Sequence, residues 1–242
     1  MSLYKIADLV VELNCYQTTL DNAKKYIIKD ADEYLKPDIV ITTDLVKLKK
    51  LPTRGNYTDD VATYLFEGIE FARQLLKFNG VWIHASAVVV DGDAYLFSAP
   101  CGTGKSTHTS KWLELFGDKA FIINDDKPAV RIIDDEYWVY GTPWSGKHDI
   151  SVNTKAKLKG ICFLHRAETN SIKFMDKASA VKEILDTSHF RTTAEQMMKK
   201  LEILDKIVRN VPIYEMGCTP TIEAAKMAYE FMSTEGGKNN EN

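Results

Sequence analysis

The sequence predicts an α/β fold, a mixed twisted sheet with flanking helices that carries a phosphate-binding P-loop. Three observations predict it. Apolar runs of strand character alternate with amphipathic helical stretches along the chain. One run, Ala94-Tyr-Leu-Phe-Ser98, leads directly into the glycine-rich segment Ala99-Pro-Cys-Gly-Thr-Gly-Lys105-Ser106-Thr107, which an amphipathic stretch ending at Gly117 follows. A second run, residues 119–124, is apolar enough for a buried strand and ends in the acidic pair Asp125-Asp126.

The first elements are the least informative. Residues 4–13 and 38–42 read as strands, with a helical or loop stretch between them and a connector at 51–56. A soft boundary near residue 57 separates a small strand-containing region, 1–57, from a P-loop domain, 58–234, with a flexible tail at 235–242. Residues 1–57 carry no recognisable chemistry; extra sheet packed on the core or an oligomer contact is their expected role, which leaves a homo-oligomer open. Thr58 then reads as a helix N-cap with Asp59 and Asp60 in the first turn. Val61, Leu65, Ile69, Ala72, Leu75 and Leu76 keep helical spacing until Asn79-Gly80 stops the run.

Residues 81–90 and 94–98 flank Asp91-Gly92-Asp93, where Asp-Gly favours a tight hairpin turn because both residues tolerate positive φ. With Asp91-Gly92 as the loop, Val90 pairs with Asp93 and His84 falls opposite Ala99, beside the glycine-rich segment. A helix over 106–116 and the strand 119–124 follow. Strand, loop, helix and strand make one right-handed crossover, and parallel neighbours put both carboxyl ends on one edge. Asp125 and Asp126 are therefore expected beside Lys105 and Ser106. A second hairpin spans 129–133 and 137–140 around Asp134-Asp135-Glu136, and a polar loop occupies 141–149. Strands at 159–165, 172–175 and 213–216, helices at 177–187 and 193–209 around the break Ser188-His-Phe-Arg191, and a closing helix at 221–232 complete the chain.

Strand, glycine-rich loop and helix N-terminus together form an anion site. Small residues let backbone N–H groups turn inward, and the helix end adds partial positive charge. Gly102, Thr103, Gly104, Lys105, Ser106 and Thr107 are the phosphate-binding candidates, with Lys105 reaching the β- and γ-phosphates and Ser106 placed for Mg²⁺. The consensus first glycine is Ala99 here. Next to such a loop the acidic pair reads as the metal-binding element. In the 141–149 loop, Trp144 could cover an apolar part of a substrate while Lys147 or His148 meets an anionic or hydroxyl group. Arg191 is a further candidate, read equally as a solvated surface cation.

Composition excludes several classes. Lys+Arg total 31 against 34 Asp+Glu, so a net charge of −3 gives no general attraction to nucleic acid or membrane. There is no run of eighteen apolar residues and no signal peptide, which predicts a cytoplasmic protein. Cys15, Cys101, Cys162 and Cys218 form no C-x-x-C pair, so a zinc or disulfide framework is not expected. Cys101 lies inside the loop, as a small residue that fits or as an oxidation-sensitive thiol.

His84, the segment 99–107 and Asn124-Asp125-Asp126 together resemble the HPr serine kinase/phosphorylase family and its shorter relatives. Residues 101–110 also resemble the kinase loop of phosphoenolpyruvate carboxykinases, which share that core. The motif-bearing region covers about residues 80–150, and only twenty positions separate Lys105 from Asp125. The resemblance implies ATP and Mg²⁺ as cofactors and a hydroxyl acceptor, either seryl in a peptide or a small hydroxylated metabolite. It implies that Ser106 and Asp126 hold Mg²⁺, that Asp125 accepts the hydroxyl proton, and that His84 orients Asp125 or the phosphate. No counterpart of the HPr enzyme's basic Pro- and Arg-rich loop is present, so its protein substrate and phosphorylase activity are not carried over. A nucleotide-binding regulatory or assembly protein with slow hydrolysis is the alternative, and a carboxykinase-like lyase is disfavoured by length.

Overall fold

The computed structural model describes residues 2–31, 34–44, 48–49, 57–100, 102–187 and 190–235. The expected connector at 51–56, Cys101, residues 188–189 of the expected break, and the tail beyond 235 lie outside the described residues.

Two sheets are present among them. A three-stranded sheet contains β1 (Leu3–Ile6), β2 (Leu9–Asn14) and β3 (Ile39–Thr42), with β2 antiparallel to β1 and parallel to β3. The expected single strand over 4–13 is thus a hairpin. Its turn is Ala7-Asp8, with φ of 54° and 59°, so the glycine that usually signals positive φ is missing. Buried Ile6, Leu9, Val11 and Leu13 carry the apolar pattern through the turn. Helix α1 (Gln17–Ala23) follows β2. Helix α2 (Asp59–Leu75) starts at the Thr58 cap, and Asn79 in the left-handed region ends the helical run, as the spacing predicts.

The nine-stranded sheet runs β4 (Gly80–Trp82), β8 (Ala129–Ile133), β9 (Glu136–Tyr140), β10 (Lys155–Arg166), β6 (Asp93–Ser98), β5 (Ala85–Val90), β7 (Ala120–Asn124). β12 (Ile213–Cys218) pairs with the far end of β10 and with β11 (Ser171–Phe174). The hairpin register is the expected one, from Val90 opposite Asp93 to Ala85 opposite Ser98. Two expectations are corrected. The run 81–90 breaks at Ile83-His84, where the Ile83 amide bonds Pro128 O (3.2 Å) and the Ala85 amide bonds Asp126 O (3.1 Å). Nor are β6 and β7 hydrogen-bonded neighbours: β5 lies between them, antiparallel to both. The short Asp91-Gly92 turn keeps β5 beside β6, and β7 adds to the remaining edge of β5. Two antiparallel steps restore direction, so β6 and β7 still present their carboxyl ends together.

Helices α3 (Lys105–Phe116) and α6 (Ile222–Glu235) cover one face of this sheet; α4 (Lys177–Thr187) and α5 (Ala194–Asn210) cover the other. The period of two along β5 assigns the faces. Ala85, Ala87 and Val89 pack with Ile184, Ile203 and Leu204, while Val88 and Val90 pack with Trp112 and Ala228. The three-stranded sheet shares a separate core with α2, Trp82 and Trp144. Among the described residues no helix is long and apolar enough to cross a membrane.

Candidate functional site

The glycine-rich segment bends as its glycines allow. Gly102 (φ 76°) and Gly104 (φ 117°) hold conformations that other residues rarely adopt, and Gly104 is the N-cap of α3. That cap has no side-chain hydrogen bond, and the first turn of α3 has no acidic residue. The helix end therefore keeps its positive character and faces a cleft. Lys105 Nζ donates to Ala99 O at 2.7 Å, and Arg166 Nη2 donates to Gly102 O at 2.7 Å. Ala99 itself is buried and packs in the cluster of Phe97 and Trp112.

Across from this loop, the end of β7 is shaped by Asn124. Its Oδ1 accepts from the amides of Asp126 (3.0 Å) and Lys127 (2.7 Å), while its Nδ2 donates to Thr142 O (3.0 Å). The turn sends the two carboxylates to different partners. Ser86 Oγ donates to Asp125 Oδ1 at 2.5 Å and Ser106 Oγ to Asp125 Oδ2 at 3.0 Å. His84 Nε2 and Lys127 Nζ both approach Asp126 Oδ1, at 3.1 and 3.0 Å. Burial pushes the Asp126 carboxyl upward, but the His84 bond and the Lys127 charge outweigh it and hold the group below the usual carboxylate range. His84 is thus paired with Asp126, not with Asp125. The Ile83-His84 break explains the choice, because the chain leaves β4 at that point and crosses the Asp126 carbonyl.

These groups face an open cleft of about 350 Å³ that is also lined by Gly102, Gly104, Lys105 and Thr107. Ser145, Gly146, Lys147 and His148 form its opposite wall. A second cleft of about 340 Å³ lies across the same loop, between Thr103, Thr107 and His108 on one side and Arg166, Cys218 and Pro220 on the other. Lys147 and His148 line the first cleft and Trp144 does not: it is 1% exposed, stacks on Phe71 at 4.9 Å and meets Trp82 edge-on at 6.0 Å. Gly68 makes this burial possible, since a Cβ there would sit 2.7 Å from the Trp144 ring. A glycine inside an otherwise regular helix was the available signal. Arg191 does not line the cleft; it is exposed, and its carbonyl accepts from Arg73 Nη2 at 2.7 Å.

Three contributors escape a reading of the sequence. Ser86 on β5 holds Asp125, and Lys127 holds Asp126. The third is Lys25, far away in sequence, whose Nζ meets both Asp149 carboxylate oxygens at 3.1 Å and Ser151 Oγ at 3.1 Å. Tyr64 OH accepts from the Gly146 amide at 3.3 Å, and Asn22 Nδ2 donates to Pro143 O at 3.2 Å. The N-terminal region and α2 thus hold the loop that walls the cleft. Among the described residues no three His, Cys, Asp or Glu side chains cluster as a metal cage. A cation here would share its shell between protein oxygens and a ligand.

Fold and site define a mixed α/β protein in which an acidic pair faces an uncapped helix N-terminus across an open cleft. The profile of a family described as SynChlorMet cassette protein ScmC matches residues 69–221, more than half of the 242-residue chain, and the protein belongs to that family. No curated protein matches it. Among solved structures, the Hpr(Ser) kinase/phosphatase from Coxiella burnetii is similar at 11% identity and a TM-score of 0.34, over 64% of this chain and 93% of that one. A likeness at that TM-score carries no argument about the site.

Proposed function

We propose that this protein is an ATP-dependent kinase that transfers the γ-phosphate to a hydroxyl. The observation that carries the reading is the meeting of Ser106 Oγ and Asp125 Oδ2 at 3.0 Å, at the uncapped N-terminus of α3. The donor set is hard oxygen, and Lys105 with the amides of the loop supplies the positive field that phosphates need. When bound, Mg²⁺ would neutralise phosphate oxygens and align the γ-phosphorus.

The protein's own groups divide the remaining work. Lys105 and the amides from residues 102–107 hold the phosphate chain, and the cleft beside Thr103, Arg166 and Pro220 has room for the nucleoside. Ser106 and Asp125 would supply oxygens to Mg²⁺, with Ser86 orienting Asp125. Asp126, ionised and held by His84 and Lys127, accepts the proton of the acceptor hydroxyl. This exchanges the roles that the family resemblance implies for the two aspartates, and the hydrogen bonds favour the exchange. Lys147 and His148 are placed to meet negative charge on the acceptor or the transferring group.

Thermal denaturation with and without MgATP tests the reading. MgATP should stabilise the wild type, and Lys105→Ala should lose that stabilisation with little change in the melting temperature of the free protein. Asp125→Asn should weaken the Mg²⁺-dependent part of binding. Asp126→Asn should keep binding and lower ADP release by roughly 10²–10⁴-fold, as for loss of a positioned base. Undiminished MgATP stabilisation in Lys105→Ala would sink the nucleotide site. The opposite pattern in the two aspartate variants would restore the roles implied by the resemblance.

A further inference from the structure

Adjoining the polar cleft at His84 is an apolar cavity of about 230 Å³, lined also by Leu65, Ile69, Trp82 and Phe190 and by Lys127 and Thr187. A cavity of ~150 Å³ lined by such side chains suffices for benzene, so this one has room for an aromatic ring or a branched aliphatic group. His84 lines both spaces. Lys127 joins them as well: its ammonium is 3.0 Å from Asp126 Oδ1 and 5.7 Å from the centre of the Trp82 ring. The indole N–H of Trp82 donates to Lys127 O at 2.6 Å, which turns its polar atom to the backbone and leaves ring carbons for the cavity.

The cavity is not a flaw in core packing. Helix α2 buries one face through Ala62, Phe71, Ala72 and Leu75. Val61, Leu65 and Ile69, four residues apart, form a second apolar line. Val61 is 43% and Leu65 37% exposed, so that line runs from the cavity out into solvent. Apolar surface that continues from a cavity beside a polar cleft marks a binding surface.

We infer that this cavity takes an aromatic or branched aliphatic group of the molecule that presents the acceptor hydroxyl, with the hydroxyl reaching past His84 to Asp126. The inference rests on the kinase reading. It moves the apolar part of the acceptor site from Trp144, which is buried, to Trp82 and Leu65. In the transfer the hydroxyl oxygen bonds the γ-phosphorus as the bond to the ADP oxygen breaks. The hydroxyl proton passes to Asp126 and from there to water.

The test uses two acceptor pairs that keep the hydroxyl and change the arm: 2-phenylethanol against ethanol, and N-acetyl-seryl-phenylalanine amide against N-acetyl-seryl-glycine amide. ADP release is followed with MgATP in the full-length wild type and in Leu65→Gln, an exposed position where the change spares the core. The apolar member should be preferred by about tenfold or more in kcat/KM in at least one pair, the size of effect a hydrophobic pocket gives. Leu65→Gln should bring that ratio toward parity while keeping MgATP stabilisation. The pair that shows the preference identifies the source as a free alcohol or a seryl peptide. Parity in both pairs, or a preference that Leu65→Gln leaves intact, overturns the inference. Wild-type protein without MgATP stabilisation is instead a failure of the kinase reading. In that case saturable binding of 2-phenylethanol, followed by ligand-observed NMR and weakened by Leu65→Gln, still decides the cavity.

Discussion

His108 makes the stability of this protein depend on pH. It sits one turn into α3, 4.5 Å from the Phe97 ring centre, and its Nε2 accepts the Trp112 indole N–H at 3.2 Å. Burial pushes its pKa down from 6.5 to about 4. Above pH ~6.5 the ring is neutral in both states, so no stability depends on it. As the pH falls from there toward 4, the unfolded chain takes up a proton that the fold refuses, and stability declines. Roughly 2 kcal/mol should be lost between pH 7 and pH 5 through this residue. Urea denaturation at the two pH values should show that decline in the wild type and a smaller one in His108→Gln; equal declines would mean that other groups carry it. Gly104 gives a second prediction at this scale. Its φ of 117° is strained for any side chain, although a Cβ there would meet nothing nearer than 4.0 Å. Gly104→Ala should therefore cost about 1–3 kcal/mol through backbone strain alone, read by the same denaturation. A neutral effect would mean that the loop adopts another conformation.

Among the elements, the loop 141–149 depends on parts of the chain that are distant in sequence. Lys25 follows α1, and it clamps Asp149 and Ser151 beyond the cleft-lining residues. The ion pair is half-exposed, so its effect on stability should be small. Its effect on the position of Lys147 and His148 should be larger. Lys25→Ala is expected to raise the acceptor KM or lower turnover, to leave MgATP affinity unchanged, and to be partly rescued by Lys25→Arg. Steady-state kinetics of the three proteins check this. Unchanged acceptor kinetics in Lys25→Ala would show that the contacts from Asn22 and Tyr64 hold the loop without the ion pair.

Across the whole molecule, the three-stranded sheet is tied to α2 by Glu67. This carboxylate is fully buried and accepts from the Tyr16 amide at 3.0 Å and from the hydroxyls of Thr19 and Thr43. Glu67→Ala would leave buried donors without a partner, at about 3 kcal/mol, or on the order of 5–10 °C in melting temperature. Ile6, Val11 and Ile39 of that sheet share one core with Phe71, Trp82 and Trp144. Calorimetry should therefore record one transition in both the wild type and the variant. Two separate transitions in the wild type would mean that the shared core does not couple the sheets.

The sequence by itself determined the elements whose signals are local. The Thr58 cap, the Asp91-Gly92 turn with its register, and the glycine-led helix at 105 follow from backbone preferences within a few residues. The meeting of Asp125 with Ser106 is expected from a parallel pairing that the sheet does not contain; two antiparallel steps through β5 bring them to one edge instead. Tertiary structure decided what depends on neighbours distant in the chain. It inserted β5 between β6 and β7, because a strand pairs with whichever edge is free and periodicity does not name its partner. It gave His84 to Asp126, since the break at Ile83-His84 is set by pairing with β8. It buried Trp144, because the fate of a tryptophan in a polar loop rests on whether the surface beneath has a gap, and Gly68 on α2 supplies one.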